Sequence, residues 1–138
     1  MKKINLLSDL IVEFYEKLSS WEQSVVEGTG LTLAQTHTLE ILGAGDSIKM
    51  KELALKMGVT TGTLTVMIDT LEKKGFVKRT RNPEDRRSYV IMLTEKGRSC
   101  HETHSDFHVK LTRECTSGFS EADMEKFESL LREFISHI

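Results

Sequence analysis

Between Ile4 and Val26 the apolar residues Leu6, Leu7, Leu10, Ile11, Phe14, Leu18, Trp21 and Val25 recur at intervals of three and four. That is the period of a long amphipathic helix. Gly28-Thr29-Gly30 breaks it, and Thr32 followed by Gln35 has the capping-box spacing that starts a second helix reaching about Leu42, stopped by Gly43 and Gly45. A shorter helix carries Met50, Leu53, Ala54 and Met57 on one face and closes at Gly58. Thr60 or Thr61 caps the next, which runs through Lys74 with Leu64, Met67, Ile68 and Leu71 as its apolar stripe and Gly75 as its stop. Two short helices joined by a tight glycine-containing turn form a helix-turn-helix pattern.

Beyond Gly75 the period falls to two over Phe76–Thr80 and Tyr89–Leu93, with a turn around Asn82-Pro83-Glu84-Asp85, so a β-hairpin is predicted. Thr94 then caps a long helix with Cys100, His104, Phe107, Leu111 and Cys115 along one stripe. Ser120 with Asp123 opens a last helix bearing Met124, Phe127, Leu130, Leu131 and Ile135. The fold class expected is mainly α with a small β-hairpin wing.

At 138 residues the chain fits one folding unit. Asp9, Glu13, Glu16 and Lys17 interrupt any signal-peptide core, and no apolar run is long enough to span a bilayer, so a cytoplasmic protein without a membrane partner is expected. Cys100 and Cys115 match neither a zinc knuckle nor a CxxC pair and read as reduced thiols. HExxH, nucleophile-elbow, P-loop and dinucleotide motifs are absent, so an enzyme is not expected. A formal net charge of only -2 means that a nucleic-acid role needs a locally basic face.

Such a face exists. From Lys73 to Arg98 lie Lys73, Lys74, Lys78, Arg79, Arg81, Arg86, Arg87, Lys96 and Arg98, against Glu84, Asp85 and Glu95. A helix entering a major groove needs small polar side chains in its first turns, and Thr60, Thr61, Gly62, Thr63 and Thr65 supply them. A hairpin tip carrying Arg86 and Arg87 suits a phosphate backbone or a narrow minor groove. With no Lys or Arg opening the helix, base specificity is expected to be modest and shape readout substantial. The plainer readings are that Lys73, Lys74 and Lys78 form a solvated face and that Thr60 is a helix cap. A winged helix serving only as a protein-interaction module is the competing function class.

Leu31-Thr32 with Gln35, Glu52-Leu53-Ala54, Thr61-Gly62-Thr63-Leu64-Thr65, Leu71-Glu72-Lys73-Lys74-Gly75-Phe76-Val77, Asp85-Arg86-Arg87 and Leu93-Thr94-Glu95-Lys96-Gly97 together resemble the MarR family of transcriptional regulators. The resemblance implies a winged helix-turn-helix over 31–94 and a helical dimerisation region of 1–30 and 95–138, intertwined in a homodimer on pseudo-palindromic double-stranded DNA. It implies repression as the commoner mode, and no cofactor for the fold. It carries major-groove contact onto Thr61, Gly62, Thr63 and Thr65 and minor-groove entry onto Arg86. Lys73, Arg79, Arg81 and Arg87 complete the expected DNA-binding set, with Asp85 orienting a wing arginine.

His104 and His108 lie four apart on a helix, a spacing that can chelate one metal ion. With His37 they resemble the zinc-responsive branch of the family, the AdcR and ZitR type, in which a glutamate of the first helix completes the set. Glu22 falls at that place, with Glu16 and Glu27 as alternatives. A second site of that branch is not expected, because Gly28, Thr36 and Thr103 stand at its ligand positions. Three imidazoles and one carboxylate would favour Zn2+, or cobalt or nickel, over calcium and magnesium. The alternatives are that His37 and His104 are core histidines and His108 a surface residue, or that the effector is a small aromatic ligand. A thiol-based peroxide sensor is disfavoured by Tyr15, where that branch carries cysteine. His101 and His137 are expected to be solvent-exposed.

Overall fold

Thr32 accepts a hydrogen bond from the Gln35 amide, and the Gln35 side chain accepts one from the Thr32 amide, both at 3.1 Å. This reciprocal cap satisfies two of the amides that a helix start leaves without partners. Ser120 and Asp123 repeat the device. In a computed structural model describing residues 1–138, these and other caps delimit six helices and three strands in the order α1 (Lys2–Val26), α2 (Leu33–Gly43), β1 (Ile48–Lys49), α3 (Met50–Met57), α4 (Thr61–Lys73), β2 (Val77–Arg81), β3 (Tyr89–Leu93), α5 (Glu95–Cys115) and α6 (Glu121–Ser136).

The chain divides into two units, 1–104 and 105–138, with the boundary inside α5. In the first, Leu39, Leu53, Leu64, Ile68, Leu71 and Ile91 are fully buried and tie α2, α3, α4 and β3 into one core. Burying each such side chain contributes about 1.5–3 kcal/mol relative to leaving it in water. Thr38, also fully buried, donates its hydroxyl to Ala34 O at 2.8 Å and touches the Met67 sulfur at 3.0 Å. Gly58 ends α3 at φ +67, a left-handed conformation that glycine adopts without a Cβ penalty, and so makes the tight turn into α4.

The sheet is antiparallel in the order β1-β3-β2, with Arg79 opposite Ile91 and Arg81 opposite Tyr89 in the hairpin. Strand β1 was not expected, because a two-residue strand is too short to show an alternating pattern. The second unit consists of the remainder of α5 and α6, where Phe119 and Phe127 meet edge to face at 5.7 Å between ring centres. No side chain of α6 is buried within the chain. Helix α1 likewise buries only Val26 and leaves Ile4, Leu6, Leu7, Leu10 and Phe14 exposed. No helix is long and apolar enough to cross a membrane.

Candidate nucleic-acid interface and helix-junction cluster

Thr60 is the N-cap of α4, its hydroxyl accepting from the Thr63 amide at 3.1 Å. Thr60, Thr61, Gly62, Thr63 and Thr65 are all exposed, so the start of α4 presents a surface of hydroxyls, methyls and bare backbone. Gly62 is informative because a Cβ there would meet only the Thr60 hydroxyl at 3.9 Å. No neighbour inside the chain requires glycine, which lowers helix stability relative to alanine by about 0.5–1 kcal/mol. Its use fits close approach by something outside the chain.

The hairpin tip is built around a residue that sequence reasoning passed over as turn punctuation. Asn82 is buried. Its amide donates to Ser88 O at 3.0 Å, its side-chain nitrogen to the Ser88 hydroxyl at 3.2 Å, and its side-chain oxygen accepts from the Glu84 amide at 3.1 Å. Asp85 accepts from the Arg87 amide at 3.0 Å, so it shapes the backbone under Arg87. Arg86 and Arg87 are exposed on this tip, and Lys73 at the end of α4 and Lys78 and Arg81 on β2 are exposed as well.

Other cations of the basic segment are engaged within the chain. The Arg79 guanidinium is hydrogen-bonded to Asp69 and lies 3.2 Å from Glu72, and these carboxylates, Asp69 first, raise its already high pKa. Lys74 Nζ donates to Gly30 O at 3.0 Å. Lys96 Nζ donates to Lys74 O at 2.7 Å and stands 4.4 Å from the centre of the Phe76 ring. The Leu93-Thr94-Glu95-Lys96-Gly97 stretch is therefore a joint. The Thr94 hydroxyl donates to Gly75 O at 2.5 Å and accepts from the Gly97 amide at 3.1 Å, while a Cβ at Gly97 would overlap the Phe76 carbonyl oxygen.

Where α1, α2 and α5 meet, His104 is buried, with Nε2 2.7 Å from Glu40 Oε1 and 3.3 Å from Glu22 Oε2. His108 follows one turn later on α5 and is half-buried. His37 is exposed on α2. Glu40 was not singled out in the sequence. His101, expected in solvent, is half-buried with its ring against Gly43, where a Cβ would overlap it.

Residues 31–89 match the model of the MarR family. The HTH-type transcriptional regulator YfiV of Bacillus subtilis is 37% identical over 84 residues, covering 60% of this chain and 52% of YfiV. The HTH-type transcriptional regulator SarZ of Staphylococcus saprophyticus is 34% identical over 100 residues, covering 72% of this chain and 64% of SarZ. The chain thus spans between 52% and 64% of the length of these two curated relatives, both named as HTH-type transcriptional regulators. Among solved structures, FabT of Streptococcus pneumoniae in complex with DNA is similar over 97% of this chain and 98% of that one, at 26% identity and a TM-score of 0.83.

Proposed function

We propose that this chain, a winged-helix protein of the MarR family across its matched segment 31–89, is a transcriptional regulator that binds double-stranded DNA. The observation that carries the reading is the exposed start of α4, where Gly62 stands among threonines with no neighbour inside the chain to require it. In this reading Thr61, Gly62, Thr63 and Thr65 face a major groove. Thr60 caps the helix beside them, and Arg86 and Arg87 follow the backbone or enter the minor groove. Lys73 and Arg81 contribute phosphate contacts. Arg79, already bonded to Asp69 and Glu72, positions the hairpin on α4 and does not itself meet DNA.

The exposed apolar faces of α1 and α6 support a homodimer, each face being covered by the other copy. A dimer presents two α4 helices and so selects a pseudo-palindrome, and occupancy of such a site near a promoter represses transcription. The effector proposed is a divalent metal ion such as zinc. Its ligands are Glu22, His104 and His108 together with one from α2, for which His37 was the sequence expectation. Their imidazole and carboxylate donors fit a borderline cation better than calcium or magnesium. A cation joining α1, α2 and α5 would favour one arrangement of the winged module and shift the DNA-binding population accordingly.

Arg86→Ala tests the interface. Duplex binding followed by fluorescence anisotropy is expected to weaken by about 1–3 kcal/mol, with the oligomeric state unchanged in sedimentation. Wild-type affinity in the variant would remove the wing from the interface.

A further inference from the structure

Val66 is an apolar side chain on the outer face of α4, 68% exposed. At about 3.6 residues per turn it stands about 160° around the helix from Leu64 and Ile68, so it has no share in the core that those two enter. Its own face runs back to Gly62, one turn earlier, and on to Asp69 and Lys73. Branching at Cβ makes valine a weaker helix former than alanine, lysine or glutamate, so the residue serves neither the helix nor the core. The threonines around it have spent much of their donor capacity, since a hydroxyl has one proton to give. Thr65 gives its proton to Thr61 O at 2.8 Å, Thr70 to Val66 O at 3.1 Å, and Thr60 to the Thr63 hydroxyl at 3.1 Å. With its hydroxyl turned back onto the helix, the exposed Thr65 adds a methyl to the surface of Val66.

We propose that Val66, with the Thr65 methyl, reads the 5-methyl group of a thymine in the major groove and sets a preference for T·A over C·G at one base pair under each α4. This assignment rests on the DNA-binding reading above. In that groove only thymine presents a methyl, while cytosine presents an amino donor and guanine two acceptors. Against the valine the thymine methyl leaves water, whereas the polar groups of a C·G pair would be buried without partners. Gly62 has no Cβ, so the helix can approach closely enough for a side chain as short as valine to reach the base edge. Base discrimination is thereby carried by a hydrophobic contact, at a helix start that holds no lysine or arginine.

The test begins with selection of preferred sites from a random-sequence duplex pool by the full chain. The enriched duplex is then made with deoxyuridine in place of each thymidine in turn, which removes the methyl and keeps the pairing. Binding is followed by fluorescence anisotropy for the wild type and for Val66→Ala, a change at an exposed position outside the core. At one thymine under each α4, loss of the methyl is expected to weaken wild-type binding about fourfold, the worth of one buried carbon. Val66→Ala is expected to bind the thymine duplex more weakly and to lose that discrimination. No thymine whose methyl matters to the wild type, or an equal penalty in Val66→Ala, overturns the assignment and leaves the DNA-binding reading standing. Saturable duplex binding with no sequence enriched does the same. No saturable binding to any duplex overturns the DNA-binding reading itself, and the assignment with it.

Discussion

Arg79 of β2 lies 3.2 Å from Glu72 of α4 through its guanidinium, and the Arg79 amide donates to the same Glu72 carboxylate at 3.0 Å. With Asp69 as a second carboxylate partner, the hairpin is tied to the helix that the proposal sends into the groove. The pairing is partly solvated, so screening keeps its contribution to about 0.5–1.5 kcal/mol. Arg79→Met is expected to weaken DNA binding while leaving the slope of log affinity against log salt unchanged, because no phosphate contact is removed. A slope shallower by about one would identify Arg79 as a phosphate ligand.

Gly62 separates folding from binding. Because a Cβ there meets nothing closer than 3.9 Å, Gly62→Ala is expected to leave the urea midpoint unchanged or raise stability by up to about 1 kcal/mol. The same change is expected to weaken duplex binding by inserting a methyl where backbone approaches DNA. Undiminished affinity in the alanine variant would show that the first turn of α4 stands clear of the duplex.

Gly97 predicts the opposite pairing. A Cβ there overlaps the Phe76 carbonyl oxygen, which is backbone and cannot swing aside. Gly97→Ala is expected to cost about 1–3 kcal/mol, read as a lower midpoint in urea unfolding. A wild-type midpoint would mean that the Thr94–Gly97 joint does not hold α5 against the end of α4.

The helices were legible because their boundaries are local chemistry: Thr32 with Gln35 and Ser120 with Asp123 announce starts, and Gly58 and Gly75 announce stops at positive φ. Strand β1 was not, since Ile48 and Lys49 become a strand only by pairing with Ile91 and Val90, more than forty positions away. The candidate site was legible in part. The exposed threonines and the wing arginines lie on their elements as the spacing implied, whereas the charge count along 73–98 could not say which cations already had partners. Arg79 and Lys96 face Asp69, Glu72 and the Lys74 carbonyl, and those neighbours follow from tertiary packing. Glu40 was missed for the same reason: nothing around it in sequence distinguishes a solvated glutamate from one turned onto His104.

Cys100 supplies a prediction in pH. Burial pushes its thiol above the ordinary value of 9.0, outweighing the nearby Lys96 charge, which pulls it down. A folded pKa above the unfolded one means that the thiol's contribution to stability is fully present below about pH 9 and is lost as pH rises through the folded value. Alkylation of Cys100 near neutral pH, followed by peptide mass spectrometry, is expected to be slow in the native chain and fast in urea. Rapid native labelling would contradict the packing of Cys100 against the core.

The central claim is that the exposed start of α4 and the basic hairpin tip bind duplex DNA. The most direct measurement is the affinity of the full chain for a duplex over a series of salt concentrations. Neutralising several phosphates releases their counterions, so log affinity is expected to fall linearly with log salt, with a slope of about -0.9 for each phosphate contacted. Absence of saturable duplex binding at low salt would contradict the account and turn the winged helix toward protein partners.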